Sequence, residues 1–344
     1  MTLLVTGGAG FIGSNFVLHM LRTYPDCRIV TLDKMTYAAD EANLASVVKS
    51  PRHTLVKGDI GDRDLVENLF KTHDIRGVIH FAAESHVDNS IRGPEVFFQT
   101  NVMGTFTLVD VARQYWMSAP GVYKPEYAGC RFHHISTDEV YGTLGETGFF
   151  HETTAYAPNS PYSASKAGSD FVVRAYAHTY GMDVVTTNCS NNYGPHQHAE
   201  KLIPTIIRSA LAGKPIPIYG DGKNVRDWLY VQDHCEAIDT VFRKGRSGET
   251  YNVGGVNEMT NLEVVASICT ILDELVAREA GSYSDLITFV ADRAGHDRRY
   301  AIDIAKIKAE LGWEPRETFQ TGIRKTVEWY LAKAGVLSGS TVAS

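Results

Sequence analysis

The sequence predicts an α/β fold, a doubly wound parallel sheet followed by a smaller C-terminal α/β lobe, and three observations predict it. Over residues 1–190 short apolar runs alternate with segments of helical period, and parallel strands need such crossovers to be joined. The first run passes straight into a turn carrying Gly7, Gly10 and Gly13, with an apolar helical pattern behind it. The second run ends in Asp33, twenty residues beyond Gly13. Strand, glycine turn, helix, strand and acid, in that order, point to a Rossmann-type sheet.

Taken in order, the runs at 3–5, 29–32, 54–56, 77–81, 132–135 and 184–188 read as strands, being short and apolar between turn residues. Segments 14–24, 63–73, 101–116 and 162–180 read as helices, and Gly181 is placed to cap the last of them. From Asn191 the pattern turns irregular. Gly and Pro cluster at 191–195 and 213–222, and two further helices are expected near 261–280 and 304–311. The division expected is a dinucleotide-binding domain over 1–190 and a substrate lobe over 191–330. Segments near 227–253 are expected to return to the first domain, and the small, polar tail at 335–344 to be flexible.

A chain of 344 residues has room for about two domains and a sizeable core. Net charge is −7 and no dense run of Lys and Arg occurs, which argues against a nucleic-acid partner, because phosphate neutralisation needs clustered cations. The five cysteines are scattered, with no close pair to make a metal knuckle or redox motif, so reduced thiols in a cytoplasmic protein are expected. No basic leader precedes an apolar stretch, and no apolar run approaches the ~18 residues a membrane span requires.

The glycine turn carries a chemical expectation. Gly7 permits the tight turn, Gly10 keeps a side chain out of a pyrophosphate's path, and Gly13 lets helix and strand approach closely. The helix N-terminus behind them offers N–H groups and partial positive charge. Asp33 is placed to accept from adenosine ribose hydroxyls and to repel a 2′-phosphate, so NAD is expected rather than NADP. The competing reading is an ordinary Gly-rich connection with Asp33 as a helix cap.

Tyr162-Ser-Ala-Ser-Lys166 follows Ser160-Pro161, a helix-start signal. Residues four apart share a helix face, so the Lys166 ammonium is expected to favour the Tyr162 phenolate. At an effective dielectric of about 20, a charge ~4 Å away is worth ~4 kcal/mol, enough to bring a phenol toward neutrality as a general base. Ser136-Thr137-Asp138-Glu139 follows the run ending at Ile135, at the carboxyl end of a parallel strand, where open sheets bind ligands. Thr137 is placed to meet a substrate hydroxyl. Two adjacent carboxylates in a cleft push one another's pKa apart, leaving a protonated acid and an ionised base. Simple oxidation and reduction need no such pair, whereas elimination of water does.

These motifs resemble the extended short-chain dehydrogenase/reductase superfamily. Thr137-Asp138-Glu139, the stretch from His80 to Ser90, Asn191-Asn-Tyr-Gly-Pro195, Lys201-Leu-Ile-Pro204 and Val225-Arg-Asp-Trp-Leu-Tyr230 narrow the resemblance to the dTDP-glucose 4,6-dehydratase family, over about residues 1–330. The resemblance implies catalytic roles for Thr137, Asp138, Glu139, Tyr162 and Lys166. It implies NAD contacts from Gly7, Gly10, Phe11, Ile12, Gly13, Asp33, Lys34, Thr36, Asp59, Ile60, Ala82, Ala83, Ser85, Thr100, Tyr162, Lys166 and Asn192. For the nucleotide sugar it implies Ser85, Thr137, Asn191, Lys201, Leu202, Pro217, Ile218, Tyr219, Arg226, Asn261, Arg293 and His296. Arg226 and Arg293 suit a pyrophosphate by their forked donors, Lys201 adds charge, and Tyr219 can pack on a base.

The implied cycle oxidises C4 of the glucosyl unit, eliminates water across C5 and C6, and reduces C6. A homodimer is also implied, built on the 101–116 and 162–180 helices. The sequence departs from the family's usual pattern at Ala294, at Gln232 and through His196-Gln-His198. No metal is expected, since those two histidines lack further ligands at suitable spacing and read as solvated loop residues. His80, His133 and His134 read as hydrogen-bonded scaffold. The alternatives are a nucleotide-sugar 4-epimerase, which has no use for paired acids, or a 4,6-dehydratase acting on a UDP- or GDP-sugar. An NAD-sensing module without catalysis would have lost Tyr162 or Lys166, and both are present.

Overall fold

The computed structural model describes residues 1–292 and 297–337. Seven strands form the central sheet: β1 (Thr2–Thr6), β2 (Arg28–Asp33), β3 (His53–Lys57), β4 (Gly77–His80), β5 (Arg131–Thr137), β6 (Val184–Cys189) and β7 (Thr250–Val253). Their spatial order is β7-β6-β5-β4-β1-β2-β3, and every neighbouring pair is parallel. From β1 the chain winds outward through β2 and β3, then crosses back to β4 on the other side of β1. That reversal opens a crevice beyond the carboxyl ends of β1 and β4.

Side chains alternate across each strand, and the sheet is apolar on both faces. Leu4, Val30, Val78 and Phe132 join one core with residues of the helices Arg63–His73, Thr105–Trp116 and Pro161–Tyr180. Leu3, Val5, Ile29, Ile79 and Ile135 join the opposite core with the helices Phe11–Thr23 and Val231–Lys244. Burying a single Leu or Ile side chain here is worth about 1.5–3 kcal/mol.

The helix expected over 101–116 is two pieces, an α-helix Thr105–Trp116 entered through a π-helical turn Phe98–Gly104. Periodicity does not separate a π turn from an α turn, because the residues change by one in a few. Gly181 closes the helix Pro161–Tyr180 in the left-handed region, at φ 63°.

The smaller lobe has its own core. It gathers Ile203, Ile206 and Ile207 of the helix Leu202–Leu211, Val264 and Ile268 of the helix Asn261–Leu275, and Phe319, Ile323 and Val327 of the helix Phe319–Lys333. The first and third of these helices were missed in the sequence, and the second ends earlier than 280. Val225–Tyr230 pairs antiparallel with Glu258–Thr260 and parallel with Asn191–Tyr193, while Ile216–Tyr219 pairs with Ile287–Val290. The linear boundary at 190 is crossed: β7 is the edge strand of the central sheet, and the helix Ala305–Leu311 contributes Ile307 to the core beside it.

Candidate active site

A cavity of about 330 Å³ opens at the carboxyl ends of β1, β2, β4, β5 and β6. The glycine turn forms one wall. Gly7 has φ +69°, and a Cβ there would stand 2.7 Å from the Ala82 amide nitrogen. A Cβ on Gly13 would stand 2.2 Å from the Gly7 carbonyl oxygen. The helix Phe11–Thr23 begins at Gly10 with no side-chain cap and no acid in its first turn, as an anionic partner at that end requires. Asp33 is buried and caps no helix; it accepts from the Ala9 amide at 3.0 Å and the Met35 amide at 2.9 Å. Burial raises its pKa, against those two bonds. Lys34 pairs with Asp59 at 2.8 Å beside it.

The other wall is the end of β5. Thr137 closes the strand and starts a short 3-10 turn, Asp138–Tyr141, which brings both following acids to the cavity. Thr137 Oγ1 donates to Asp138 Oδ1 and accepts from the Glu139 amide, each at 3.3 Å. Asp138 is only 2% exposed. Burial, then the charges of Glu139 and Asp227, drive its pKa well above the carboxylate range, so it holds its proton. Glu139 is less buried and lines the same space. The pair is therefore unequal in the way acid–base chemistry requires.

Tyr162 and Lys166 reach the cavity from the start of the helix Pro161–Tyr180, fixed by a capping box between Ser160 and Ser163. The expectation that Lys166 pulls the Tyr162 phenol toward neutrality is not met here. The Lys166 ammonium donates to the Ile135 carbonyl at 2.8 Å. Burial, then the Glu139 charge, push the phenol well above 10. A phenol held in low dielectric beside a carboxylate keeps its proton until a cation offsets the burial and the negative charge.

Every NAD-contact residue named from the sequence, from Gly7 to Asn192, lines this cavity, as do Ser85, Thr137, Asn191 and Lys201 of the sugar set. Glu84, Ser190, Gln197 and Glu200 line it as well and were not foreseen. Leu202, Pro217, Ile218, Tyr219, Arg226 and Asn261 do not line it. Ile218 is 1% exposed in the core of the smaller lobe, and Tyr219 is 44% exposed. Arg226 is buried and donates to the carbonyls of Val225 at 2.7 Å and Asp297 at 2.8 Å, with its guanidinium 4.4 Å from the Tyr300 ring centre. Both terminal nitrogens of the fork thus meet backbone carbonyls. Arg293 and His296 fall outside the described residues.

One of the two loop histidines also differs from expectation. His196 has φ +68°, bonds Asn43 Oδ1 through Nδ1 at 2.9 Å and packs 4.8 Å from the Trp329 ring. It joins the two lobes and is not a solvated residue. Gln232 bonds His19 at 2.9 Å. Among the described residues no group of His, Cys, Asp or Glu is arranged to hold a metal ion, and no helix is long and apolar enough to cross a membrane. All five cysteines are free and buried.

A family model described as GDP-mannose 4,6 dehydratase matches residues 4–326. The chain is 59% identical over 344 residues to a dTDP-glucose 4,6-dehydratase of Xanthomonas campestris pv. campestris (strain B100), covering 98% of this chain and 97% of that one. It is 54% identical over 341 residues to dTDP-glucose 4,6-dehydratase 1 of Escherichia coli (strain K12), covering 96% and 93%. Among solved structures, DesIV (dTDP-glucose 4,6-dehydratase) from Streptomyces venezuelae, with NAD and TYD bound, superposes with a TM-score of 0.87 at 47% identity over 98% of this chain and 99% of that one. On these likenesses the chain belongs to the dTDP-glucose 4,6-dehydratases within the GDP-mannose 4,6 dehydratase family.

Proposed function

We propose that the protein converts dTDP-glucose to dTDP-4-keto-6-deoxy-glucose with NAD that is regenerated in each cycle. The observation that carries this reading is the unequal pair Asp138 and Glu139, set beside Thr137 and Tyr162 in one cavity with the glycine turn. The glycine cradle, the uncapped helix start and Asp33 suit NAD, which when bound supplies a hydride acceptor and then donor.

The chain's own residues do the proton work. Tyr162 takes the C4 hydroxyl proton, which requires its phenolate. The Lys166 ammonium, together with the cationic ring of bound NAD, supplies the positive charge that offsets burial and Glu139, and Thr137 orients the hydroxyl. Oxidation at C4 acidifies the C5–H, and Glu139 removes it. Asp138, carrying its proton, protonates the departing C6 hydroxyl, and water leaves. Return of the hydride to C6 and of a proton to C5 completes the product, so net redox change is zero and no second substrate is consumed. Asn191, Ser85 and Lys201 are assigned to the sugar and its phosphates, a reading supported by their lining the same cavity.

The dTDP preference over UDP or GDP rests on the relatives' names and on the wider resemblance. Incubation of purified protein with each of the three glucosyl nucleotides tests it. A 4-keto-6-deoxy product from dTDP-glucose in excess over the others is expected; formation of the 4-epimer would overturn the reading.

A cytoplasmic homodimer completes the proposal. Five buried free thiols suit a reducing compartment. Phe98, Met103 and Phe106 on one helical stretch and Phe171 on the helix Pro161–Tyr180 are exposed by 38–57%. So many large apolar side chains on two packed helices mark an interface.

A further inference from the structure

Behind the catalytic helix lies a second buried acid. Asp170 stands four residues beyond Lys166, is 5% exposed and faces away from the substrate chemistry toward β5. Its Oδ2 accepts from Ser136 Oγ at 2.9 Å and from the Tyr156 hydroxyl at 2.9 Å. Its Oδ1 lies 3.0 Å from His134 Nε2. Ser169 Oγ, also 3.1 Å from that nitrogen, donates to the Lys166 carbonyl, so Nε2 carries the hydrogen and donates to both oxygens. Three donors thus fix one carboxylate.

Its partners make the arrangement specific. His134 and Ser136 flank Ile135 on β5, and Ile135 is the residue whose carbonyl takes the Lys166 ammonium. Acid and base, one helical turn apart and about 5–6 Å between Cβ atoms, grip three consecutive strand residues. Thr137, Asp138 and Glu139 come next in the chain. Lys166 is 4% exposed, and a buried ammonium needs a counter-charge.

We propose that Asp170 is a positioning residue: its clamped carboxylate is the buried counter-charge that keeps Lys166 cationic and bonded to Ile135. The inference rests on the dehydratase reading and deepens it. Burial lowers the Lys166 pKa and Asp170 raises it again. Burial pushes Asp170 up to about 6, with Lys166 and the Ser136 and Tyr156 bonds opposing. The other groups facing the pair keep one state near neutrality. His134 and His80 behind it stay neutral by burial, the Tyr156, Tyr141 and Tyr162 phenols are pushed far up, and the Cys189 thiol is pushed up to about 12. Asp138 beyond Cys189 holds its proton.

The test is Asp170→Asn, close in size but uncharged, with Asp170→Glu as the conservative rescue. On dTDP-glucose, kcat should fall about tenfold at the wild-type optimum with KM little changed. The alkaline limb of the C4 oxidation step, read as NADH absorbance so that the later loss of the Asp138 proton does not enter, should move down by about one pH unit, the low end of what a nearby opposite charge supplies. Asp170→Glu should return the limb. Equal loss at all pH values, with both limbs in place, would show a merely structural role and overturn the proposal. If Asp170→Asn does not fold, Tyr156→Phe removes one donor and should move the acid limb up; an unmoved limb counts against it equally. A titration of the Lys166 side-chain nitrogen NMR resonance, assigned by its loss in Lys166→Met, reads the same shift without turnover. That separates failure of this inference from failure of the dehydratase reading.

Discussion

The Lys166 ammonium is bonded to the Ile135 carbonyl at 2.8 Å, so the catalytic helix is fastened to β5 two residues before Thr137. Lys166→Met removes that bond and the one cation four residues from Tyr162. Turnover should fall by about 10²-fold or more, a typical loss for an acid–base component. The circular dichroism spectrum should be unchanged. Turnover near wild type would remove Lys166 from the machinery.

Asp138 and Glu139 have separable roles. Glu139→Gln should still support oxidation at C4, seen as NADH absorbance, yet lose C5 exchange with deuterated water. Asp138→Asn should retain that exchange and slow expulsion of the C6 hydroxyl by about 10²–10⁴-fold. Because Asp138 is active in its protonated form and its pKa lies well above the usual range, wild-type elimination should weaken as pH rises through that raised value. Identical behaviour of the two variants would contradict the division of labour.

Gly13 tolerates no side chain, since an added Cβ would lie 2.2 Å from the Gly7 carbonyl and 2.8 Å from Gly8 Cα. Gly13→Ala must spread the turn. A loss of about 1–3 kcal/mol in stability is expected, as for other overpacked sites, together with weaker NAD binding by calorimetry. Unaltered NAD affinity would move the cofactor away from this turn.

His234 is fully buried, its Nδ1 2.9 Å from Asn192 Oδ1, and burial lowers its pKa to about 3. The folded value lies below the unfolded one, near 6.5, so the unfolded chain binds the extra proton. The contribution is complete above about pH 6.5 and is lost as pH falls toward the folded value, reaching about 2 kcal/mol by pH 5. Thermal midpoints of wild type and His234→Gln, compared across that range, should shift in the variant's favour on acidification. A constant difference would refute the linkage.

Phe171 is 57% exposed and Met103 51%. Phe171→Glu with Met103→Glu should convert a dimer to monomer in sedimentation, since burying two unpaired carboxylates is unfavourable. A monomeric wild type, or an unchanged dimer in the double variant, would reject that face as the interface.

Much of the first lobe was legible because its signals are local. Alternation of apolar strands and helices, the cap at Gly181 and the Ser160-Pro161 start depend on residues a few positions apart, and the structure places them as read. The smaller lobe was not legible. Its helices Leu202–Leu211 and Phe319–Lys333 pack on one another through contacts distant in sequence, and Pro204 inside the first masks its period. Arg226 shows the same limit. A forked cation near a nucleotide site reads as a phosphate ligand, and nothing in that reading announces the bonds its donors make to the backbone carbonyls of Val225, Asp297 and Arg298.

Read alone, the chain was enough to name the sheet, the glycine turn, the acid pair and the Tyr162–Lys166 spacing, because each is a short run whose chemistry depends on type and interval. Tertiary structure alone decided the charges. Which of two adjacent acids keeps its proton, why the Tyr162 phenol is raised and not lowered, and which strand groups hold the Lys166 ammonium and the Asp170 carboxylate all follow from burial and from neighbours on other elements. Dielectric and distance belong to the folded object, and no interval along the chain encodes them.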